Sequence, residues 1–413
     1  MRATVEDMHQ SVARQTGYLP GDREYRKLSV ALFAAGLATF ALLYSTQPLL
    51  PQLVDAFHVS PSQSAFSVSF ATFGLGVALL VAGPASEVLG RTNLMRWSVA
   101  ATTAFALLSA FAPTWHALLA LRGLQGIAMA GLPAVAMAYL REEVHQDSHA
   151  RASGLYIAGT AVGGMAGRLI AGGLSDLGGW RFATAGIAAV GVLCAAVVWL
   201  LLPASRNFRP SPAPRRRDLF SVQVLKDPAL LALYGIAATA VGAFVAVYNG
   251  AVFRLSGSPY HLSAGAAGLV FCVYLLGSAG SATAGTLADR YGRRAVVPIG
   301  CLITLVGVAI TLAAPLPLIV LGLAVMTAGF FAVHGVASGW VPARAHASGV
   351  GTGQASSMYL FSFYLGSSVF GGLAGTAWSR AAWTGVAAEA GALFVVTFIL
   401  AVLLKNVPSK VQN

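Results

Sequence analysis

Twelve apolar runs, each close to the length that crosses a lipid bilayer, leave this chain little choice of fold. They cover residues 28–50, 64–83, 95–112, 116–140, 151–174, 182–203, 229–252, 263–285, 295–314, 317–341, 348–376 and 383–404. A crossing needs about 20 mostly apolar residues. In hydrocarbon only helices and closed barrels satisfy every backbone polar group, and runs this continuous read as helices. Of the 413 residues, 57% are hydrophobic and 10% charged, whereas a soluble domain carries about 25% charged residues. The 46 glycines suit helices that approach closely through small residues. The expected fold class is all-α integral membrane, with twelve transmembrane helices in a lipid bilayer.

The basic residues orient the chain. With the N-terminus in the cytoplasm, 21 of the 26 Lys and Arg fall in cytoplasmic segments. Three, Arg181, Arg254 and Arg380, flank outer loops, and Arg122 and Arg168 lie within spans. The positive-inside rule then places both termini in the cytoplasm. The expected organisation is a cytoplasmic tail (1–27), a six-helix bundle (28–203), a cytoplasmic linker (204–228), a second six-helix bundle (229–404) and a short tail (405–413). The linker holds a Pro-rich stretch and Arg215-Arg216-Arg217, which suits the anionic leaflet. The net charge of +12 is spread between spans rather than gathered in a patch, so nucleic acid is not an expected partner. Residues 1–27 lack an apolar core before a small-residue site, so no cleaved signal peptide is expected. Cys194, Cys272 and Cys301 lie far apart in apolar runs, where packing rather than a disulfide is expected. No Walker loop, metal-ligand cluster or nucleophile–base pairing stands out, so neither an enzyme nor a cofactor or metal is expected.

A short polar loop occurs twice. The stretch from Gly83 to Arg96 has a second copy at Gly285 to Arg294, 202 positions later. Gly83, Glu87, Gly90 and Arg91 pair with Gly285, Asp289, Gly292 and Arg293, and Arg294 follows in the second copy. Both copies follow the second apolar run of their half, so the two bundles are expected to be pseudo-symmetric. Trp180 is echoed by Trp383 at an offset of 203, and Ser153-Gly154 by Ser348-Gly349 at a different offset.

With twelve spans, a six-plus-six repeat and this loop, the sequence resembles the major facilitator superfamily of secondary transporters over about residues 28–404. The family's loop signature, roughly G-x-L-a-D-r-x-G-r-r, is matched in full by Gly285 to Arg294. The first copy departs, with Ala85, Ser86, Glu87, Val88 and Thr92 at signature positions. A span-4 motif appears as Leu118, Arg122, Gln125 and Gly126. The glycine-rich antiporter motif of span 5 survives as Gly159, Gly163 and Gly167, with Gly164 at its Pro position and Arg168 at its last Gly. Tyr44 to Pro51 resembles the P-x-x-P ending of 12-span efflux members. The resemblance implies a monomeric bacterial inner-membrane transporter that moves a small molecule by alternating access. Proton-coupled efflux is the first expectation. Proton-coupled import of an anionic metabolite is the alternative, with a passive facilitator or a membrane sensor behind it.

Each candidate residue also has a plainer structural reading. Glu87 and Asp289 can pair with nearby arginines and latch the two halves together, or the loops can be simple turns. Arg122 lies about 10 Å along its helix from Trp115, by the rise per residue. A charge there must face a cavity or a partner, or snorkel to the interface. Arg168 sits among glycines and needs a water-filled site, an acid or backbone carbonyls. Two cavity arginines would favour an anionic or strongly hydrogen-bonding substrate. Proton-coupling candidates are His334, since an imidazole ordinarily titrates near neutral pH, and Glu389, the one carboxylate well inside an apolar run. The remaining cavity candidates are Gln125, Tyr44, Gln47, Tyr248, Asn249, Tyr274, Gln354, Tyr359 and Tyr364, although aromatic girdles explain many such residues.

Overall fold

A computed structural model of the chain describes residues 17–208, 222–404 and 407. The rest of both tails and the linker core with Arg215-Arg216-Arg217 lie outside the described residues. Helices α1 (Arg23–Tyr44), α2 (Leu50–Phe57), α3 (Pro61–Leu89), α4 (Arg91–Ala110), α5 (Trp115–Met129), α6 (Gly131–Glu143) and α7 (His149–Leu201) precede the linker. Helices α8 (Pro228–Ser256), α9 (Ala264–Gly268), α10 (Tyr274–Tyr291), α11 (Arg293–Ile310), α12 (Leu316–Ala347) and α13 (Thr352–Leu403) follow it. Among the described residues, nine helical segments are long and apolar enough to cross a membrane. The run expected at 95–112 forms α4, which falls outside these nine because Arg91, Arg96 and several hydroxyl side chains dilute it.

Two of the nine are too long for one crossing. Helices α7 and α13 have 53 and 52 residues, which would extend about 80 Å if straight, against about 30 Å of hydrocarbon. Each is broken near its middle. Gly178 (φ −146, ψ 16) and Gly179 (φ 74, ψ −178) leave helical geometry in α7. Ala381 (φ −146, ψ 26) and Ala382 (φ 47, ψ −137) do so in α13. The chain doubles back at both breaks: a Cβ on Gly186 would lie 2.3 Å from Leu174, and one on Gly385 2.3 Å from the Ala377 carbonyl.

The repeat extends to backbone angles. Gly90 (φ 83, ψ 145) closes α3 and Gly292 (φ 84, ψ 145) closes α10. That left-handed conformation is the reason for glycine at both places. The expected echo of Ser153-Gly154 in Ser348-Gly349 does not hold. Ser153 and Gly154 lie inside α7, whereas Ser348 and Gly349 (φ 68) form the turn after α12.

Close packing explains the glycines of α7. Gly159, Gly163 and Gly167 lie on one face, against Phe33, Leu37 and Ala41 of α1, where a Cβ would come within 2.4, 2.2 and 2.5 Å of α1 backbone atoms. In the second copy Gly366, 203 positions after Gly163, meets the Ala238 carbonyl of α8 in the same way, at 2.1 Å. Small residues thus let paired helices touch backbone to backbone.

One end of the molecule gathers the basic loops. There Arg96 donates to the Leu202 carbonyl at 2.8 Å, Thr92 meets Ser205 at 3.0 Å, and Arg294 donates to the Val407 carbonyl at 2.6 Å. Near the opposite end the segments before and after the linker are joined. Ser62 and Thr376 hydroxyls meet at 2.9 Å. Ser69 and Ser368 each donate to the other's carbonyl at 2.7 Å. The Asp176 carboxylate accepts from the Ser263 hydroxyl at 2.6 Å and the Gly265 amide at 3.0 Å. Toward the basic end, a Cβ on Gly83, Gly90, Gly285 or Gly292 would meet nothing within 4 Å.

Ala382 holds a backbone conformation that costs an L-residue of order 1–3 kcal/mol. Ala382→Gly is therefore expected to raise the thermal unfolding temperature in detergent, and Gly179→Ala to lower it. Equal melting of Ala382→Gly and the parent would remove strain from that turn.

Candidate functional site

The site begins where α1 stops. Pro48 has no amide to offer the Tyr44 carbonyl, and the chain tightens into one 3₁₀ turn at Gln47–Leu49. Carbonyls just before that break lose helical donors. Arg122 of α5 supplies replacements and is 2% exposed. Its Nη1 donates to the Leu42 carbonyl at 3.0 Å, its Nη2 to the Leu43 carbonyl, and its Nε to the Ser67 carbonyl of α3 at 2.9 Å. Gln125 accepts from Nη1 at 2.6 Å and itself donates to Leu42 at 3.4 Å. The motif pair Arg122 and Gln125 is thus together, and among the described residues the guanidinium bonds backbone carbonyls and Gln125 rather than an acid, which positions the end of α1.

That position presents Gln47 and Tyr44 to Arg168, which is likewise 2% exposed. The Arg168 Nε donates to Gln47 Oε1 at 2.6 Å, and its Nη1 to the Gly164 carbonyl at 2.5 Å. Its guanidinium carbon lies 4.4, 4.9 and 4.8 Å from the ring centres of Tyr44, Phe271 and Tyr274. Such cation–π contacts stabilise a desolvated guanidinium without neutralising it. Among the described residues no carboxylate pairs with Arg168.

The chain of polar contacts continues across the molecule. Gln47 Nε2 donates to Asn249 Oδ1 at 2.7 Å, and Asn249 Nδ2 donates to the Gly371 carbonyl at 2.9 Å. Gln47 and Asn249 stand 202 positions apart, and Arg168 and Gly371 stand 203 apart. The repeat therefore puts an arginine on one side of the Gln–Asn bridge and a glycine in the matching place on the other.

Around Arg168 stands an aromatic cluster. Tyr248 bonds Thr327 at 2.7 Å and lies 5.0 Å from Tyr274 and 5.3 Å from Phe271. Phe244 links Tyr274 at 5.4 Å to Phe330 at 4.0 Å. Phe330 in turn stacks on His334 at 5.9 Å. His334 Nδ1 meets the Tyr359 hydroxyl at 3.0 Å, and Phe363, which carries Tyr364 on its edge at 5.2 Å, covers the imidazole at 4.7 Å. A continuous run of rings thus joins His334 to Arg168. Glu389 is not part of it: both carboxyl oxygens are buried without a hydrogen-bond partner.

The repeated loops differ in their pairing. Arg91 binds Glu87 at 2.7 Å and Glu142 at 2.9 Å, all before the linker. Asp289 is exposed and makes no ion pair among the described residues. The counterpart of Glu142, 202 positions on, is Arg344, so the second half has a base at the place where the first has the acid that Arg91 binds. Arg344 instead binds Asp227 at 3.0 Å, and Ser348 donates to the same carboxylate at 2.7 Å. Asp227 also caps α8 through the amides of Ala229 and Leu230 at 2.8 and 3.3 Å. No ion pair from either loop joins the segments before and after the linker, among the described residues.

Residues that the sequence did not single out are Phe271, Phe244, Phe330, Phe363 and Thr327 in the cluster, and Asp176 and Asp227 at the two ends. Asp227-Pro228 carried a helix-start signal. The phenylalanines carried none, being ordinary members of apolar runs.

A model of the Major Facilitator Superfamily matches residues 28–259. The chain is 39% identical over 385 residues to an uncharacterised MFS-type transporter of Bacillus subtilis, covering 93% of each chain. It is 40% identical over 394 residues to the inner membrane transport protein YnfM of Escherichia coli, covering 95% of this chain and 94% of that one. Its structure is similar to a bacterial homologue of the human lysosomal transporter Spinster in an inward-facing, occupied conformation. The TM-score is 0.77 at 17% identity, over 95% of this chain and 100% of the other.

Two expectations follow from the charges. Arg122→Ala removes a donor from three backbone carbonyls, of which Leu42 keeps the Gln125 amide and the Ser45 hydroxyl, and leaving a buried acceptor unpaired costs roughly 1–3 kcal/mol. Its detergent melting temperature is expected to fall, and an unchanged one would remove the capping role. For Asp227, burial alone would raise the carboxyl's pKa, but the Ser348 hydroxyl and Arg344 outweigh it and hold it below its ordinary value. A depressed carboxyl adds stability that is fully present above its unfolded value of about 3.9 and is lost as pH falls through the lower folded value. Asp227→Ala is expected to remove this acid-side slope in an unfolding titration. It is also expected to cost roughly 3–5 kcal/mol at neutral pH by removing the buried carboxylate that Arg344 pairs with.

Proposed function

Because the chain belongs to the major facilitator superfamily, we propose that it carries a small anionic molecule through a central site on Arg168. In this reading the nine apolar segments, the two breaks and α4 make twelve crossings in two six-helix halves, residues 28–203 and 229–404. The excess of basic residues assigns the loop end to the cytoplasm, in a bacterial inner membrane, with both termini inside. The joined end then faces outward, so the conformation is inward-open. Transport proceeds by rocking the halves about the Gln47–Asn249 bridge.

The single observation that carries the substrate class is Arg168, a buried guanidinium with a glutamine, a carbonyl and three rings around it and no acid. A lipophilic cation would be repelled there, whereas a carboxylate or phosphate supplies the missing charge. We assign proton coupling to His334, whose imidazole is held by Tyr359 and reaches the site through stacked rings. Glu389, isolated from that path, is the lesser candidate. The loops around Gly90 and Gly292 serve as the cytoplasmic gate. The proposed direction is efflux in exchange for protons. The uncompensated positive charge of the site equally suits import of an anionic metabolite with protons, which is the second reading.

The test uses proteoliposomes holding a pH dye and a panel of organic acids, sugars, amino acids and lipophilic drugs. An inward gradient of the true substrate alkalinises the lumen for a proton exchanger and acidifies it for a symporter. Movement of substrate with no pH change would remove proton coupling. Anions are expected to be the active class, and Arg168→Gln is expected to lower uptake at least about thirtyfold, the loss for truncating a buried charged partner. Equal transport of neutral and anionic compounds by the parent protein would remove Arg168 as the selector.

A further inference from the structure

A second anion site lies away from Arg168, at the basic end. A groove of about 590 Å³ opens between the first turns of α1 and α7, lined by Tyr25, Arg26, Ser29, Val30, Arg151 and Leu155 among others. That volume is within the roughly 300–1,000 Å³ of small-molecule sites. Its two charged residues, Arg26 and Arg151, are both exposed, and neither has an ion pair or side-chain hydrogen bond among the described residues. Among the described residues no acidic residue lines the groove. Ser29 is 8% exposed, and its hydroxyl is buried with no hydrogen-bond partner. A buried hydroxyl left unpaired is costly, and among the described residues none accepts from Ser29.

The rest of the wall is apolar. Val30 and Leu155 are 49% and 38% exposed on it, one turn further into their helices than the arginines. The small side chains of Gly154 and Ala158 leave the groove open, since a Cβ on Gly154 would meet nothing within 4 Å. Below it, Gly159 and Gly163 close α7 onto α1. Cationic heads at the membrane boundary over an apolar trough match a molecule with an anionic head and an apolar tail. A free inorganic anion would leave the trough empty.

We propose that this groove binds an anionic phospholipid, with its phosphate between Arg26 and Arg151, accepting from Ser29, and an acyl chain along Val30, Leu155 and Ala158. The assignment is independent of what the transporter carries. Arg26 and Arg151 lie outside the central site, and the readout is binding rather than transport.

The purified protein in detergent is titrated with phosphatidylglycerol, phosphatidylcholine or inorganic phosphate, and thermal unfolding and retained lipid (by native mass spectrometry) are followed. Phosphatidylglycerol is expected to raise the unfolding temperature and to be retained, and phosphatidylcholine to do neither. Each of Arg26→Gln and Arg151→Gln is expected to weaken phosphatidylglycerol binding about fivefold, from the pull of one basic residue on an anionic headgroup. Ser29→Ala is expected to weaken it less. Equal stabilisation of the parent protein by the two lipids would overturn the proposal without recourse to any variant. So would an Arg26→Gln, Arg151→Gln protein that still binds phosphatidylglycerol as the parent does. Inorganic phosphate reproducing the effect at the same concentration would make the site an anion site and overturn the lipid assignment.

Discussion

The constraint on which the rest depends is that a broken helix inside hydrocarbon must find donors for the carbonyls it exposes. Helix α1 is broken by Pro48 at the level of the central cluster, and the donors come from Arg122. A lysine could serve one carbonyl well. The planar guanidinium serves three carbonyls and a glutamine at once, which is why the position needs arginine. Without that cap, neither Gln47 nor Tyr44 would be held toward Arg168. One buried arginine is thus spent on the backbone, while a second, Arg168, carries a charge that no described carboxylate neutralises.

The repeat shows what each half can vary. Backbone devices are kept: the glycine turns at Gly90 and Gly292, the breaks at Gly178-Gly179 and Ala381-Ala382, and the close contacts at Gly163 and Gly366. Side-chain chemistry is not kept. Arg168 faces Gly371 across the bridge, and Glu142 corresponds to Arg344. Even a shared task is met from different places. Arg181, beyond the first break, donates to the Ala110 and Ala112 carbonyls at the end of α4. At the end of α11, the carbonyls of Thr311 and Ala313 are served by Arg254 of α8. Symmetry in such a chain resides in how helices turn and touch. Asymmetry sits where charge is placed, and an asymmetric site is what a substrate without two-fold symmetry requires.

The membrane class and the repeated loop were legible in the sequence because both are local: apolar length, glycine spacing and a polar stretch written twice. The candidates Tyr44, Gln47, Asn249, Tyr248, Tyr274 and Arg168 were legible as polar or aromatic residues in apolar runs, and the structure brings them together. The 202-residue offset of the repeated loop also separates Gln47 from Asn249. What could not be read was direction. A spacing of three along α5 places Arg122 and Gln125 on one face, yet whether that face meets solvent or carbonyls depends on a break in another helix. The pairing of Arg91 with Glu142 rather than with an acid across the molecule is equally non-local. So is the choice of Asp227 by Arg344.

The hydrogen bonds that join the two segments differ in kind from those within each. Glycines bring backbones together both within a segment and between segments, as at Gly375 against Ser62 and Gly172 against Ala264, whereas the arginines that cap helix ends act within one segment. Between segments, at the end away from the basic loops, the bonds are small: one Ser–Thr pair, two reciprocal Ser–carbonyl bonds, and a carboxylate that accepts a hydroxyl and an amide. Side-chain hydrogen bonds between helices in membranes are worth about 0.6 kcal/mol each on average, so five of them hold on the order of 3 kcal/mol. Moving a two-state equilibrium from one side to the other takes about 5.5 kcal/mol of differential binding. The seal is therefore of a size that differential binding of one ligand to two conformations is able to offset. An ion pair buried at that seal would have resisted opening. Hydroxyls that can turn to their own helix carbonyls when the halves part give a contact that is cheap to break in lipid.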